Sequence, residues 1–74
     1  MRALILKELE RKHVDNHLRF WKDLEQIQFV EENHISYNEF LVELRKMIEE
    51  GVLSVVSGKN EKLGFVDVYW NNQP

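Results

Sequence analysis

Apolar and polar positions along this chain follow two periods, a helical one over the first two thirds and an alternating one near the end. Leu6, Leu9, His13, His17, Phe20, Leu24 and Ile27 recur at steps of three and four, and Val14 and Trp21 widen the stripe. That spacing predicts either one helix from about Arg2 to Glu31 or two helices, over about 2–14 and 16–32, broken near Val14-Asp15-Asn16. The break is the preferred reading, because a compact domain needs the chain to double back. Asp15 and Asn16 also carry side chains able to accept from the free amides of a new helical turn.

A polar stretch, Glu31-Glu32-Asn33-His34, ends the stripe, and Ile35-Ser36 follows. Ser36 with Glu39 three residues on has the form of a capping box, and Ile35 with Phe40 that of a hydrophobic staple. Tyr37, Phe40, Leu41, Leu44, Met47 and Ile48 then share one face, which predicts a third helix over about 36–50. Gly51 stands where a helix ends in the left-handed conformation. Beyond it the period shortens. Two β-rich runs, over about 52–57 and 64–70, flank the polar segment from Ser57 to Lys62 and read as a hairpin. In that hairpin Val66, Val68 and Trp70 are expected to face the core, with Phe65, Asp67 and Tyr69 on the other side. Residues 71–74 are expected to fray.

Composition narrows the class. Seventy-four residues make a single domain with a thin core. There is no cysteine, so disulfides and thiolate metal sites are excluded. The apolar runs are too short for a membrane span or a signal-peptide core, so an intracellular chain without a membrane role is expected. The net charge of −3 hides an asymmetry: residues 1–22 carry six basic and three acidic groups, residues 23–50 two basic and eight acidic, and residues 51–74 balance.

The ordered set Ile35-Ser36, then Phe40, Leu44 and Met47, then Gly51-Val52-Leu53 and a hairpin resembles the winged helix-turn-helix family over residues 35–70. The resemblance implies an α+β, mostly α, fold: a three-helix core followed by a two-stranded wing. It implies a third helix offered to the major groove of double-stranded DNA and a wing on the backbone. Carried over residue by residue, it implies base approach by Asn38, Val42, Arg45 and Lys46, and phosphate contact by Lys59, Asn60 and Lys62. Lys7, Arg11, Lys12, Arg19 and Lys22 can add phosphate contacts. A dimer would supply two half-sites and cover apolar surface.

The sequence departs from a DNA binder in its charge. Glu39, Glu43, Glu49 and Glu50 outnumber Arg45 and Lys46 on the reading helix, whereas DNA affinity rests largely on phosphate neutralisation. The alternative is a protein-interaction module that uses its acidic helical face or its N-terminal apolar stripe. Ordinary solvated surface is a third account of the same lysines and arginines.

Other chemistry is sparse. His13 and His17 have the spacing of two metal ligands, but only His34 offers itself as a third, so no metal and no cofactor is expected. Phe20, Trp21, Tyr69 and Trp70 read as core before they read as a base-stacking platform. Acidic pairs such as Asp23 with Glu25 lack a nucleophile beside them. With no phosphate loop and no zinc-protease motif, no enzymatic activity is expected.

Overall fold

The structure, a computed structural model, describes residues 1–71, and the side chains of all of these except 16 and 59–61. Helix α1 spans Arg2–Asn16 and is followed by strand β1, Phe20–Trp21. Helices α2, Asp23–Glu32, and α3, Tyr37–Glu49, come next, then strands β2, Leu53–Asn60, and β3, Phe65–Trp70. A 3₁₀ turn, Glu61–Leu63, joins the last two strands. The fold is α+β and mostly helical, with a three-stranded antiparallel sheet in the order β1-β3-β2. Among the described residues, no helix is long and apolar enough to cross a membrane.

The break in the N-terminal stripe comes later than the sequence suggested. Asp15 and Asn16 close α1 rather than opening α2. His17 takes the left-handed conformation (φ 58°), and its N–H donates to the His13 carbonyl at 2.8 Å. That turn satisfies an end carbonyl and throws the chain out of the helix. Phe20 and Trp21 then pair with Tyr69 and Val68, and the Trp70 N–H donates to the Arg19 carbonyl at 2.7 Å. The strand β1 was not foreseen. Two residues are too short to show a period, and the stripe carried both of them as helix.

Because α2 starts at Asp23, its buried face is set by Asp23, Gln26, Phe29 and Val30. Leu24, expected on the core side, is 66% exposed. Lys22 at the N-cap has no short acceptor to offer, and the cap comes from a distant strand instead. The Asp67 carboxylate on β3 accepts from the Asp23 N–H at 2.8 Å. This overturns the outward placing of Phe65 and Asp67: both are buried, and Ser57 donates to the other Asp67 oxygen. A buried carboxylate is tolerable only where donors converge on it, and the free amides of a helix start supply such donors. Gln26 extends the polar seam, its amide donating to the carbonyls of Trp21 at 3.0 Å and Val66 at 2.7 Å.

The connection from α2 to α3 is built from local hydrogen bonds. Ile35 N–H donates to the Val30 carbonyl and His34 N–H to the Glu31 carbonyl, with His34 left-handed at φ 53°. This is a Schellman turn with histidine where glycine is usual. It delivers Ser36 to the N-cap of α3, where its Oγ accepts from the Glu39 N–H at 3.4 Å. At the other end of α3, Gly51 (φ 82°) completes a second Schellman turn, with Val52 N–H on the Met47 carbonyl at 2.9 Å. Gly51 was expected in that conformation, and the helix bounds agree within a residue.

The core lies between the helices and the sheet. Ile5 and Leu9 of α1 share one buried cluster with Phe40, Leu44 and Met47 of α3 and with Leu53, Val68 and Trp70 of the sheet. An aromatic group holds the centre: Trp21 packs edge-on against Phe29 and Phe40 with ring centroids 5.3 and 5.7 Å apart, and Phe40 stacks on Phe65 at 5.9 Å. Such pairs add about 0.5–1.5 kcal/mol each beyond area burial. In β2 the register slips between Val55 and Ser57 and again between Ser57 and Asn60. The first strand of the hairpin therefore runs to Asn60 instead of 57. Asn71 is not frayed: its side chain donates to the Gly51 carbonyl and the Ser54 hydroxyl. The remainder of the expected tail lies outside the described residues.

Candidate nucleic-acid interface

Helix α3 buries Phe40, Leu44 and Met47 and so turns its opposite side to solvent. Asn38, Val42 and Lys46, four residues apart, form one exposed row. With Met1, Glu39 and Glu43 they line a shallow groove of about 300 Å³ between α3 and the start of α1. Arg45 does not join that row. One residue turns a helix by about 100°, and Arg45 instead lines a cleft of about 330 Å³ between α3 and the hairpin, with Glu49, Val55 and Gly64. The four residues expected to approach bases therefore divide three to one across the α3 ridge.

Gly64 sets the closeness of hairpin and helix. Its φ is +87°, and a Cβ there would stand 3.0 Å from Leu41 Cδ1 and 3.7 Å from the Arg45 guanidinium. The backbone approaches α3 at this point because no side chain intervenes. Lys62, in the 3₁₀ turn, is exposed. Lys59 and Asn60 belong to the end of β2, and their side chains lie outside the described residues.

Charge on α3 is altered by a residue from another helix. Arg2 reaches from the first turn of α1 to the carboxylates of Glu43 on α3 and of Glu50 at its C-cap. Its Nη1 donates to Glu50 Oε1 at 2.7 Å, and its Nη2 to Glu50 Oε2 at 2.8 Å and Glu43 Oε2 at 3.2 Å. The guanidinium fork matches the carboxylate plane, the stronger geometry for such pairs. These hydrogen bonds hold the Glu50 carboxyl below the usual glutamate range, and the Arg2 guanidinium is in turn held more firmly protonated. Counting Arg2, the α3 surface sets four carboxylates against three cations instead of two.

Three other basic residues of the N-terminal segment, Lys7, Arg11 and Lys12, are engaged or placed away from the α3 row. Lys12 is only 5% exposed and pairs with Glu25 of α2, so it is removed from the phosphate-contacting set. Arg11 is bound to Glu8 at 2.8 Å and Asp15 at 3.4 Å on its own helix. Lys7 lies beside Arg11, Phe29 and Asn33, on the α2 side of α1. Two of the six basic residues in 1–22, Arg2 and Lys12, thus pair with the acidic excess of residues 23–50. Sequence counting registers both excesses but not their pairing, which depends on how α1 crosses α2 and α3.

The remaining candidates fall outside this surface. His13 and His17 have ring centroids 6.2 Å apart, and His13 meets Trp70 edge-on at 6.1 Å. His34 sits in the turn after α2. No group of three or more metal-ligating side chains occurs among the described residues. Trp21 and Trp70 are 1% and 5% exposed, which makes them core rather than a stacking surface. A feature that sequence reading missed is a mostly apolar groove of about 260 Å³ lined by Ile27, Tyr37, Asn38, Leu41, Leu63 and Phe65, so that Asn38 borders both this groove and the one along its own row. Leu63 at 64% and Tyr37 at 46% exposure mark its rim. The only sequence signal for it was one leucine at the end of a polar turn. No protein-family model, curated protein or solved structure matches this chain.

Proposed function

We propose that this chain is a small winged-helix DNA-binding protein, acting inside the cell as a transcriptional regulator in dimeric form. The element order α1-β1-α2-α3-β2-β3 with the sheet order β1-β3-β2 is compatible with a winged helix. The observation that carries the reading is the exposed Asn38-Val42-Lys46 row on α3, with the β2–β3 hairpin standing beside the same helix across Gly64. In this reading the row enters the major groove. Asn38 has the two-sided amide that suits adenine, Val42 suits a thymine methyl, and Lys46 meets guanine or phosphate. Arg45 and Lys62 approach the flanking backbone from the hairpin side.

The experiment is duplex binding measured against salt. Affinity is expected at about 50 mM salt and is expected to fall steeply toward about 200 mM. Asn38→Ala should relax sequence preference, and Lys46→Ala should weaken binding to all sequences. Absence of binding at the lower salt overturns the proposal. A mass measurement in solution tests the dimer.

A second reading has its own support. The groove formed by Ile27, Tyr37, Leu41, Leu63 and Phe65, with Asn38 at its side, is a mostly apolar surface of a kind that marks protein contacts. The α3 surface, at about one net negative charge, is not the basic footprint usual for a nucleic-acid binder. A protein-interaction module predicts that Leu63→Asp abolishes a protein complex while DNA binding is absent from the start.

A further inference from the structure

The bridge from Arg2 to Glu43 and Glu50 bears directly on the proposed reading face. Glu43 lines the same groove as Asn38, Val42 and Lys46. A phosphate backbone brought against that row comes within a Debye length of its carboxylate, about 10 Å at 0.1 M salt, where repulsion is felt. The Glu43 side chain is only 20% exposed and Arg2 only 35%, so solvent screens their pairing less than it would a pair on open surface. The guanidinium, fixed to both Glu50 oxygens and one of Glu43, has its fork committed to protein.

We propose that Arg2 is the internal counter-ion of α3: it masks Glu43 and Glu50 so that the Asn38-Val42-Lys46 row can approach a polyanion, and does not itself contact the nucleic acid. This role rests on the DNA-binding reading given above. It makes Arg2 a positioning residue for charge, placed on a helix that otherwise has no part in reading. It accounts for two of the four glutamates on a helix offered to DNA, Glu43 and Glu50, and leaves Glu39 of the same groove as its one unmasked carboxylate among the described residues.

Masking and direct phosphate contact separate when the acids are removed together with the arginine. The full chain is titrated with a labelled duplex across the salt range already given, as wild type, as Arg2→Gln, and as Arg2→Gln combined with Glu43→Gln and Glu50→Gln. Circular dichroism follows the fold of each. Masking predicts that Arg2→Gln binds about fivefold more weakly, the scale of one exposed ion pair. It predicts that the triple variant recovers at least wild-type affinity with an unchanged salt slope. Direct contact predicts that the triple variant stays weak and loses about 0.9 from the log–log slope. That result overturns the masking role and leaves the DNA reading standing. If Arg2→Gln fails to fold, the comparison of triple variant with wild type still decides, because the triple variant leaves no carboxylate unpaired at this site. A wild-type chain that binds no duplex overturns the DNA reading and the role of Arg2 with it.

Discussion

At residue scale, Asp67 and Gly64 carry the sharpest consequences. Asp67 caps a helix from a strand, so its loss strips an acceptor from both the α2 start and Ser57. Asp67→Ala should destabilise the fold by about 2 kcal/mol in urea unfolding, and Asp67→Asn, which keeps one acceptor, by roughly half as much. An aspartate amid Val66, Val68 and Trp70 is read as outward-facing because charge in a strand usually is. Its partner amide lies 44 residues away in sequence, and nothing local to β3 announces it. The two positive-φ glycines differ in surroundings: a Cβ on Gly51 meets nothing within 4 Å, whereas one on Gly64 meets Leu41 at 3.0 Å. Gly51→Ala should therefore cost about 1 kcal/mol, the price of the left-handed backbone. Gly64→Ala should cost more, roughly 2–3 kcal/mol, because Leu41 must also move. Thermal melts of the two variants side by side check the order.

Elements differ in how far their own sequence specifies them. Helix α3 was legible because Ser36, the apolar positions Phe40, Leu44 and Met47, and Gly51 act within a few residues of one another. Cap, face and stop are all local. Helix α2 was placed only in part, since its start depends on Asp67 and on β1, both set by tertiary pairing. The docking of α1 on α3 has a pH signature. The Glu50 carboxyl lies below its ordinary value chiefly because of the hydrogen bonds from Arg2. A depressed carboxyl contributes stability in full above the ordinary glutamate value, and that stability is lost as pH falls through the lowered one. Wild type should thus lose melting temperature on acidification below the ordinary glutamate range, and Arg2→Gln should show a shallower acid limb. Equal acid limbs in the two proteins would remove Arg2 from the account. Because Glu50 is exposed, the difference should shrink in high salt.

For the molecule as a whole, the succession of helical segments and a β-hairpin was legible from periodicity. The stripe alone left one helix or two open over residues 2–31, and the third strand and the charge pairing were not legible. Both depend on contacts between distant segments: Phe20 with Tyr69, Lys12 with Glu25, and Arg2 with Glu50. The candidate site shares this limit. Asn38, Val42 and Lys46 form the expected exposed row because helix geometry alone places them. The division of Arg45 from that row depends on where the hairpin lies. The slipped register of β2 has one further consequence, for solubility. A three-stranded sheet has two open edges, and an open edge is a template for strand addition by another chain. Here β1 is only two residues long, and β2 is bulged twice along its length. Neither edge offers a straight row of amides and carbonyls, so copies that meet are steered toward side-chain contacts and away from sheet extension. Deleting Val56, the residue unmatched between Val55 and Ser57, would remove the first of these irregularities and lengthen the straight part of the outer edge. The deletion variant should form thioflavin-positive aggregates at concentrations where the natural chain stays clear.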